Sequence, residues 1–146
     1  MRDMTIGGLA RAAGVGVETV RFYERKGLIR QPPRPQSGYR RYDDSAVHRI
    51  RFIRHGQELG FSLREIGALM ALSADPGADC SDVRMRARDK LAEVDAKMAR
   101  LAAIRSALER VIAACPGKGA LRACSIIDEL AGGAGAPLGH MEDAGR

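Results

Sequence analysis

Apolar residues recur at helical spacing in two short segments near the start of the chain. The first begins after Thr5, which can cap a helix, and ends at Gly14, and the second covers residues 17–26. Two short helices joined by a glycine turn predict a helix-turn-helix. The second helix carries polar side chains that can reach phosphates and base edges in a major groove. These are Glu18, Thr19, Arg21, Tyr23, Glu24 and Arg25.

Two further helices are predicted in the first 71 residues. One begins at about Ser45 and ends at Gly60, with apolar residues on one face and three arginines on the other. The next begins at Ser62, because Ser62 and Glu65 have the spacing of a capping box. The chain is therefore expected to be mostly α-helical.

The segment between the second and third helices predicts a wing. Residues 31–36 contain three prolines, which cannot continue a helix, and Ser37-Gly38 is a turn signal. In residues 39–42, two tyrosines flank two arginines. This pattern favours a short strand pair whose arginines face a DNA backbone while its tyrosines pack beneath them. We therefore assign residues 1–71 to a winged helix-turn-helix DNA-binding domain.

A long amphipathic segment follows a linker, residues 72–82, that contains Cys80. In residues 83–114 the apolar positions advance in steps of four and three, which is the heptad spacing of a coiled coil. The stripe is narrow and flanked by charges, which favours a dimerisation helix over a helix lying on its own domain. Its positions are Ala87, Leu91, Val94, Met98, Leu101, Leu108 and Ile112, with Arg105 at one core position.

The three cysteines of the chain lie at the two ends of this predicted helix. Cys80 precedes the helix, whereas Cys115 and Cys124 follow it in a segment that contains Pro116. A helix over residues 82–114 would separate Cys80 from the other two by about 50 Å, at 1.5 Å per residue. The three thiols can therefore act together only if two chains, lying head to tail, supply them. We expect residues 115–131 to form a metal-binding loop and a short helix, and residues 132–146 a disordered tail.

The C-x8-C spacing of the last two cysteines is weak evidence by itself, since zinc knuckles use two to four intervening residues. Free cysteines are more often small buried apolar residues than metal ligands. A loop and a helix start are poor burial sites, however, and good ligand sites. An odd set of three cysteines is also a poor disulfide framework, which leaves buried thiols, reactive thiols or metal ligands.

The net positive charge of the chain lies in its first half. Residues 1–70 contain 13 Lys and Arg against 7 Asp and Glu, a net of +6, and residues 71–146 contain 11 of each. A compact basic segment has the electrostatic footprint of a nucleic-acid-binding domain. A solvated basic surface is the alternative that charge alone leaves open.

Composition narrows the class of protein. The chain has no Trp, and all its Phe and Tyr residues lie at or before position 61, so the second half has little material for a core. No run of 18 apolar residues occurs, so we expect neither a membrane span nor a secretory signal. We therefore expect a cytoplasmic location. No catalytic Ser/His/Asp set, paired carboxylates or phosphate loop stands out, so we do not expect an enzyme.

The segments TIGGLARAAGVGVETVRFYERKGLI, GYRRY and RFIRHGQELGFSLREI resemble the MerR-type transcriptional regulators. Within that family, the cysteine separations of 35 and 9 positions are similar to those of the mercury-responsive members. The resemblance implies that Arg21 and Tyr23 contact an operator from the recognition helix, where Thr19 is a further candidate. It also implies an antiparallel pairing of the long helix. The wing residues on the phosphate backbone would be Arg40, Arg41 and Tyr42.

The resemblance further implies that each Hg(II) ion is held by Cys80 of one subunit with Cys115 and Cys124 of the other. Three thiolates without a nearby histidine make a soft site, which selects thiophilic cations. Mercury sensors often carry an additional Cys and a His beside the position of Cys115, whereas this chain has Ala113 and Pro116. Cd(II) and Pb(II) therefore remain alternative effector ions.

The implied mechanism is regulation of a metal-resistance promoter. A homodimer would bind a two-fold operator and hold the promoter inactive without metal. Metal binding would shift the two heads, and the bent, untwisted DNA would then allow RNA polymerase to engage both promoter elements. A thiol redox sensor, in which Cys115 and Cys124 form a disulfide, is a further alternative.

Overall fold

The computed structural model describes residues 3–36 and 38–132, which form six α-helices. A single 3₁₀ turn, Leu121–Ala123, precedes the last helix. The predicted fold class, mostly α with a helix-turn-helix and a long C-terminal helix, is confirmed. The helices are α1 (Ile6–Ala13), α2 (Val17–Arg25), α3 (Asp44–Glu58), α4 (Leu63–Ala74), α5 (Cys80–Ala114) and α6 (Ser125–Leu130).

The chain divides into two compact units, Met1–Lys90 and Leu91–Arg146. Most of the predicted tail, residues 133–146, lies outside the described part of the chain. None of the described helices is long and apolar enough to cross a membrane.

The helix-turn-helix forms because both ends of α1 are satisfied locally. The Thr5 hydroxyl accepts a hydrogen bond from the backbone N–H of Gly8 at 3.2 Å, as predicted for an N-cap. At the other end Gly14 adopts φ 72°, a left-handed conformation that favours glycine, and its N–H donates to the carbonyls of Ala10 and Arg11. The chain can then turn directly into α2.

The strand pair predicted for residues 39–42 is wrong. In residues 3–36 and 38–132, the β-type pairing consists of one isolated antiparallel bridge between Met4 and Tyr42. Each of these residues donates its N–H to the other's carbonyl at 2.8 Å. The bridge ends there because Thr5 already caps α1. The preceding prolines also lack the N–H groups that a longer ladder requires. The wing is therefore an irregular segment.

The core of the first unit fixes the position of α2. Helices α1 to α4 all contribute buried apolar side chains, and each such side chain contributes about 1.5–3 kcal/mol by its transfer out of water. Val20 and Tyr23 are the buried residues of α2. The completely buried side chains are Leu9, Val20, Ile50, Ile53 and Ile66.

Three arginines of α3 support this packing by a role that the sequence did not reveal. Their guanidinium groups donate to backbone carbonyls of the helix-turn-helix and of the segment after α2. Carbonyls at a helix end have no partner within the helix, so cationic donors stabilise them. The pairs are Arg49 to Leu28 (3.2 Å), Arg51 to Ala12 (3.1 Å) and Arg54 to Gly14 (3.0 Å).

Helix α5 begins earlier than predicted. We expected it to start at residues 82–83, with Cys80 in the preceding linker, but Cys80 is its first residue. Asp79 and Asp82 cap this end of the helix through a pair of hydrogen bonds. The Asp79 carboxylate accepts the N–H of Ser81 at 2.8 Å, and the Asp82 carboxylate accepts the N–H of Asp79 at 3.0 Å.

The heptad positions of α5 are solvent-exposed in the single chain. Leu91, Val94, Met98, Leu101, Leu108 and Ile112 are 38–64% exposed. Ile104, which the heptad register leaves out, is also exposed. An apolar stripe of this length, rimmed by polar residues, is typical of an interaction surface. Dimerisation through it stays a prediction.

Gly56 generates a test of the contact between α3 and α4. A Cβ atom at Gly56 would lie 2.8 Å from Cγ1 and 3.0 Å from Cδ1 of the buried Ile66. Gly56→Ala should therefore lower the free energy of unfolding by about 1–3 kcal/mol through overpacking, although alanine is the better helix former. Urea denaturation followed by circular dichroism measures the change.

Gly7→Ala is the matched control, because Gly7 is also helical and its Cβ would meet nothing closer than the Thr5 hydroxyl oxygen at 3.9 Å. We expect this variant to be as stable as the unsubstituted protein or more stable. If Gly56→Ala and Gly7→Ala change stability equally, the close packing of α3 on α4 is refuted.

Candidate nucleic-acid interface and thiol site

A groove with a volume of about 480 Å³ lies between the recognition helix α2 and the wing segment. Arg21 of α2 is exposed at its edge, and Thr19 on the same helix is half-buried. Arg34 and Arg40 contribute further positive charge from the wing side. The arrangement places cationic donors from two elements around one groove, which suits a phosphate backbone.

Tyr23 differs from the sequence-based expectation. It was predicted to contact DNA, but its side chain is only 4% exposed and belongs to the core. Its hydroxyl donates to the side-chain carbonyl oxygen of Gln57 on α3 at 3.0 Å. Burial raises the pKa of Tyr23, and the positive charge of Arg54 opposes that shift. In this structure Tyr23 therefore orients α2 against α3 and does not present its ring to a ligand.

Tyr42 also differs from the prediction that it contacts phosphate, since it is only 3% exposed. Its hydroxyl donates to the carboxylate of Glu24 on α2. Burial, followed by the hydrogen bond and charge of Glu24, raises the pKa of Tyr42 to about 12, against opposing effects of Arg40 and Arg21. The phenol is thus a neutral donor at physiological pH. It joins the wing segment to the recognition helix.

The two wing arginines have different environments. Arg40 is half-buried, and its Nε donates to the carbonyl of Pro32 at 2.9 Å, which holds the proline segment in place. Arg41 is exposed and lines a second concave surface of about 430 Å³ together with Arg30 and Arg49. Arg30 and Arg34 are basic residues that the prediction of DNA contacts omitted, and their position beside the proline run is the signal that points to them.

The second unit brings Cys115 and Cys124 together. Both thiols line a concave surface of about 230 Å³ in the loop between α5 and α6. The N–H of Gly117 donates to the Cys115 sulfur at 3.5 Å, which holds that thiol in the loop. Gly117, with φ 74°, and Gly119, with φ 111°, adopt left-handed backbone conformations that allow the loop to return.

Cys124 has an environment that favours its thiolate. The backbone N–H groups of Ile127 and then Ile126, at the start of α6, lower the pKa of the Cys124 thiol, and the Cys115 thiol adds to this effect. Partial burial of the sulfur acts in the opposite direction. Since the thiolate is the form that binds soft metals and attacks electrophiles, this pair is chemically competent for either role.

Cys80 is exposed at the first residue of α5 and belongs to the first unit. Within residues 3–36 and 38–132 of one chain, no group of three or more His, Cys, Asp or Glu side chains is arranged to hold a metal ion. The structure of one chain therefore assembles two of the three predicted thiol ligands.

Tyr42→Phe tests the bond between the wing and the recognition helix. Removing the hydroxyl leaves the Glu24 carboxylate without its donor, so the free energy of unfolding at pH 7 should fall by about 1–2 kcal/mol. The stabilisation that the Tyr42 hydroxyl provides is present below the ordinary tyrosine pKa of 10 and is lost as pH rises towards the folded-state pKa of about 12. Tyr39→Phe, at a ring that is 75% exposed, is the control and should have no effect.

Alkylation tests the environment of Cys124. Because its pKa lies below the usual value, the rate of its reaction with iodoacetamide should reach half its maximum at a lower pH in the folded, reduced, metal-free protein than in urea. Peptide mass spectrometry after timed quenching gives the rate at each pH. Identical midpoints in the folded and unfolded protein would refute the assigned hydrogen bonds.

Comparison with known proteins identifies the family. Residues 4–73 match the family described as MerR HTH family regulatory protein, and residues 47–111 match the family described as MerR, DNA binding. The mercuric resistance operon regulatory protein of Shigella flexneri is 43% identical over 135 residues, covering 92% of each chain. That of Pseudomonas fluorescens is 42% identical over 134 residues, again covering 92% of each chain.

Solved structures agree with these matches. The transcription regulator PbrR691 from Ralstonia metallidurans CH34, in complex with lead(II), has a TM-score of 0.80 and 34% identity, covering 87% of this chain and 98% of that one. The dual-function regulator MerR from Bacillus megaterium MB1, in complex with mercury(II), has a TM-score of 0.68 and 34% identity, covering 88% and 99%. The chain therefore belongs to the MerR family of transcriptional regulators.

Proposed function

We propose that this chain is a Hg(II)-responsive regulator that binds a two-fold operator in a mercury-resistance promoter as a homodimer. It represses without metal and activates by DNA distortion when Hg(II) binds Cys80, Cys115 and Cys124. The observation that carries the proposal is the convergence of Cys115 and Cys124 in one loop. The chain that contains this loop is 42–43% identical to mercuric resistance regulators.

The chemistry of the loop supports a soft cation. The thiolate is the metal-binding form of cysteine, and the hydrogen bonds at Cys124 lower its pKa and so favour that form. Soft thiolate ligands select thiophilic ions over hard ones. The loop around the two thiols contributes Lys118 and no carboxylate, so the surroundings do not offer hard oxygen ligands from side chains.

A second chain supplies what one loop lacks. Two thiols of the proposed triad come from the loop of one subunit, and Cys80 of the other subunit completes the set. The exposed apolar stripe of α5 gives two chains a surface on which to pair antiparallel, with Leu91, Met98 and Leu108 among its members. The proposed site would then exist only in the dimer.

DNA binding rests on the first unit. Its net charge supplies the phosphate-neutralising term, and Arg21, Arg40 and Arg41 present cations from the recognition helix and the wing. We assign Tyr23 and Tyr42 the role of holding these elements in place. A regulator that bends and untwists its operator changes the relative placement of the two promoter elements, so that RNA polymerase can bind both. We propose that the protein acts in the cytoplasm.

Pb(II) or Cd(II) is the second candidate effector. The likeness to the lead(II) complex of PbrR691, at a TM-score of 0.80, favours Pb(II) specifically. An all-thiolate site can accept each of these soft ions, so the choice depends on measured relative affinities.

Replacing Cys80, Cys115 or Cys124 by Ser one at a time tests the triad. Each replacement should abolish Hg(II)-induced transcription, because serine is a poor ligand for a soft cation. The thiolate-to-mercury ultraviolet absorption should change in intensity and position, since two thiolates remain to bind the ion. Operator affinity, measured by fluorescence anisotropy, should remain unchanged. Ser81→Ala, beside Cys80, is the control and should keep full induction. Retained induction in any one of the three cysteine variants contradicts the triad.

Metal titrations of the purified dimer with a competing thiol decide between the candidate effectors. The ion that activates the promoter at the lowest free concentration is the effector. Activation by Zn(II) or Cu(I) below the concentrations required for Hg(II), Cd(II) and Pb(II) would overturn the proposal. A promoter response to oxidant with all metal chelated would instead support a thiol redox sensor.

A further inference from the structure

The long helix has one buried residue, and that residue is charged. Every residue of α5 is described, and Lys90 alone among them is buried, with 8% of its surface exposed. The rest of the buried core of the first unit is apolar, so a buried lysine is exceptional here. Whatever fixes α5 against the neighbouring helices of its own chain therefore involves this side chain.

Lys90 lies against the start of α4. Its ammonium group is 2.9 Å from the Glu65 carboxylate and 5.8 Å from the centre of the Phe61 ring. The stem passes Gly60, where a Cβ atom would lie 3.9 Å from the Lys90 Cδ. The apolar stem is thus covered, while the charge is paired with a carboxylate and an aromatic face.

Glu65 has two tasks at once. It is the N3 residue of the capping box that opens α4, and it accepts the N–H of Ser62 at 2.8 Å. The same carboxylate binds Lys90, and this bond, ahead of those from Ser62, lowers the pKa of Glu65 to about 2. The first turn of α4 and the anchorage of α5 therefore share one group.

A continuous set of contacts leads from Glu65 to the recognition helix. Ile66, the next residue, is completely buried against Gly56 of α3, where there is no space for a Cβ atom. Gln57, next to Gly56, accepts the hydroxyl of Tyr23 on α2. Close packing of this kind transmits displacement, because the contacts have no slack.

The contact between α5 and α4 is an ion pair, although an apolar contact could stabilise the same place. Burying an ammonium group is costly, and an apolar side chain of similar volume at the same place is often equally stable or more stable. Apolar contacts have no preferred donor or acceptor direction, whereas the hydrogen bond of an ion pair is directional and so also restricts the rotation of the helix. The Lys90–Glu65 pair is thus suited to define one position of the first turns of α5, residues 80–90, and its loss would release that position.

We propose that the Lys90–Glu65 ion pair is the contact that couples the position of α5 to the recognition helix. Lys90 is a positioning residue that touches neither metal nor DNA. Induction of transcription requires the pair, whereas metal binding and operator binding do not. This inference deepens the proposed function and rests on it for its effector.

Lys90→Met, which keeps the length of the stem and removes the charge, tests the coupling. We expect the ratio of in vitro transcription with and without Hg(II) to fall by about tenfold. The affinity for operator DNA, and the affinity for Hg(II) measured by ultraviolet absorption, should each stay within about threefold of the values for the unsubstituted protein. Lys90→Arg keeps the charge and should restore at least half of the ratio. Lys97→Met is the matched control, because Lys97 forms an exposed ion pair with Glu93 on the same helix.

The outcomes separate coupling from simple structural support. An unchanged induction ratio in Lys90→Met refutes the coupling, and so does a loss of operator affinity, metal binding and induction in the same proportion. Failure of Lys90→Arg to restore the ratio also counts against it. If the unsubstituted protein responds to none of Hg(II), Cd(II) and Pb(II), the proposed function fails instead.

A second measurement needs no metal. Coupling between two sites is reciprocal, so operator DNA should change amide hydrogen exchange in the first turns of α5, residues 80–90. Lys90→Met should abolish that change, and Lys97→Met should retain it. An equal DNA-induced change in all three proteins would overturn the coupling, whatever the effector.

Discussion

The packing of the completely buried side chains in the first unit determines where every candidate DNA contact lies. Leu9, Val20, Ile50, Ile53 and Ile66 belong to four different helices, so a change at any one of them displaces its neighbours. Polar bonds then orient what the core has placed. Tyr23 and Tyr42, both predicted as DNA contacts, use their hydroxyls for this purpose, and the exposed arginines are left to face a ligand.

The parts of the fold that depend on neighbouring residues could be predicted from the sequence. The bounds of α1 and the capping box of α4 follow from Thr5, Gly14 and Ser62, because caps are satisfied within a few residues. The wing could not be predicted in the same way. Its strand pair required a partner with free backbone groups, and that partner is limited to Met4. The start of α5 was not predicted, because its reciprocal cap uses two aspartates, Asp79 and Asp82, in place of the Ser and Glu of a capping box.

The candidate sites show the same division. The loop sequence was enough to suggest that Cys115 and Cys124 could meet, since only eight residues separate them. The hydrogen bonds that favour the Cys124 thiolate come from a short helix whose exact start the sequence did not specify. The partner of Glu65 was not predictable, because Lys90 lies 25 positions away on a helix interpreted only by its apolar stripe.

The position of Cys80 as the first residue of α5 has an energetic consequence. A terminal helical turn opens more readily than the middle of a helix, and here Asp79 and Asp82 cap it. A ligand that binds the Cys80 thiol only when this turn is formed must stabilise the turn by mass action. Ligand capture at this end and the final step of helix formation are then one equilibrium, and the length of α5 itself becomes a variable that a bound ion can set.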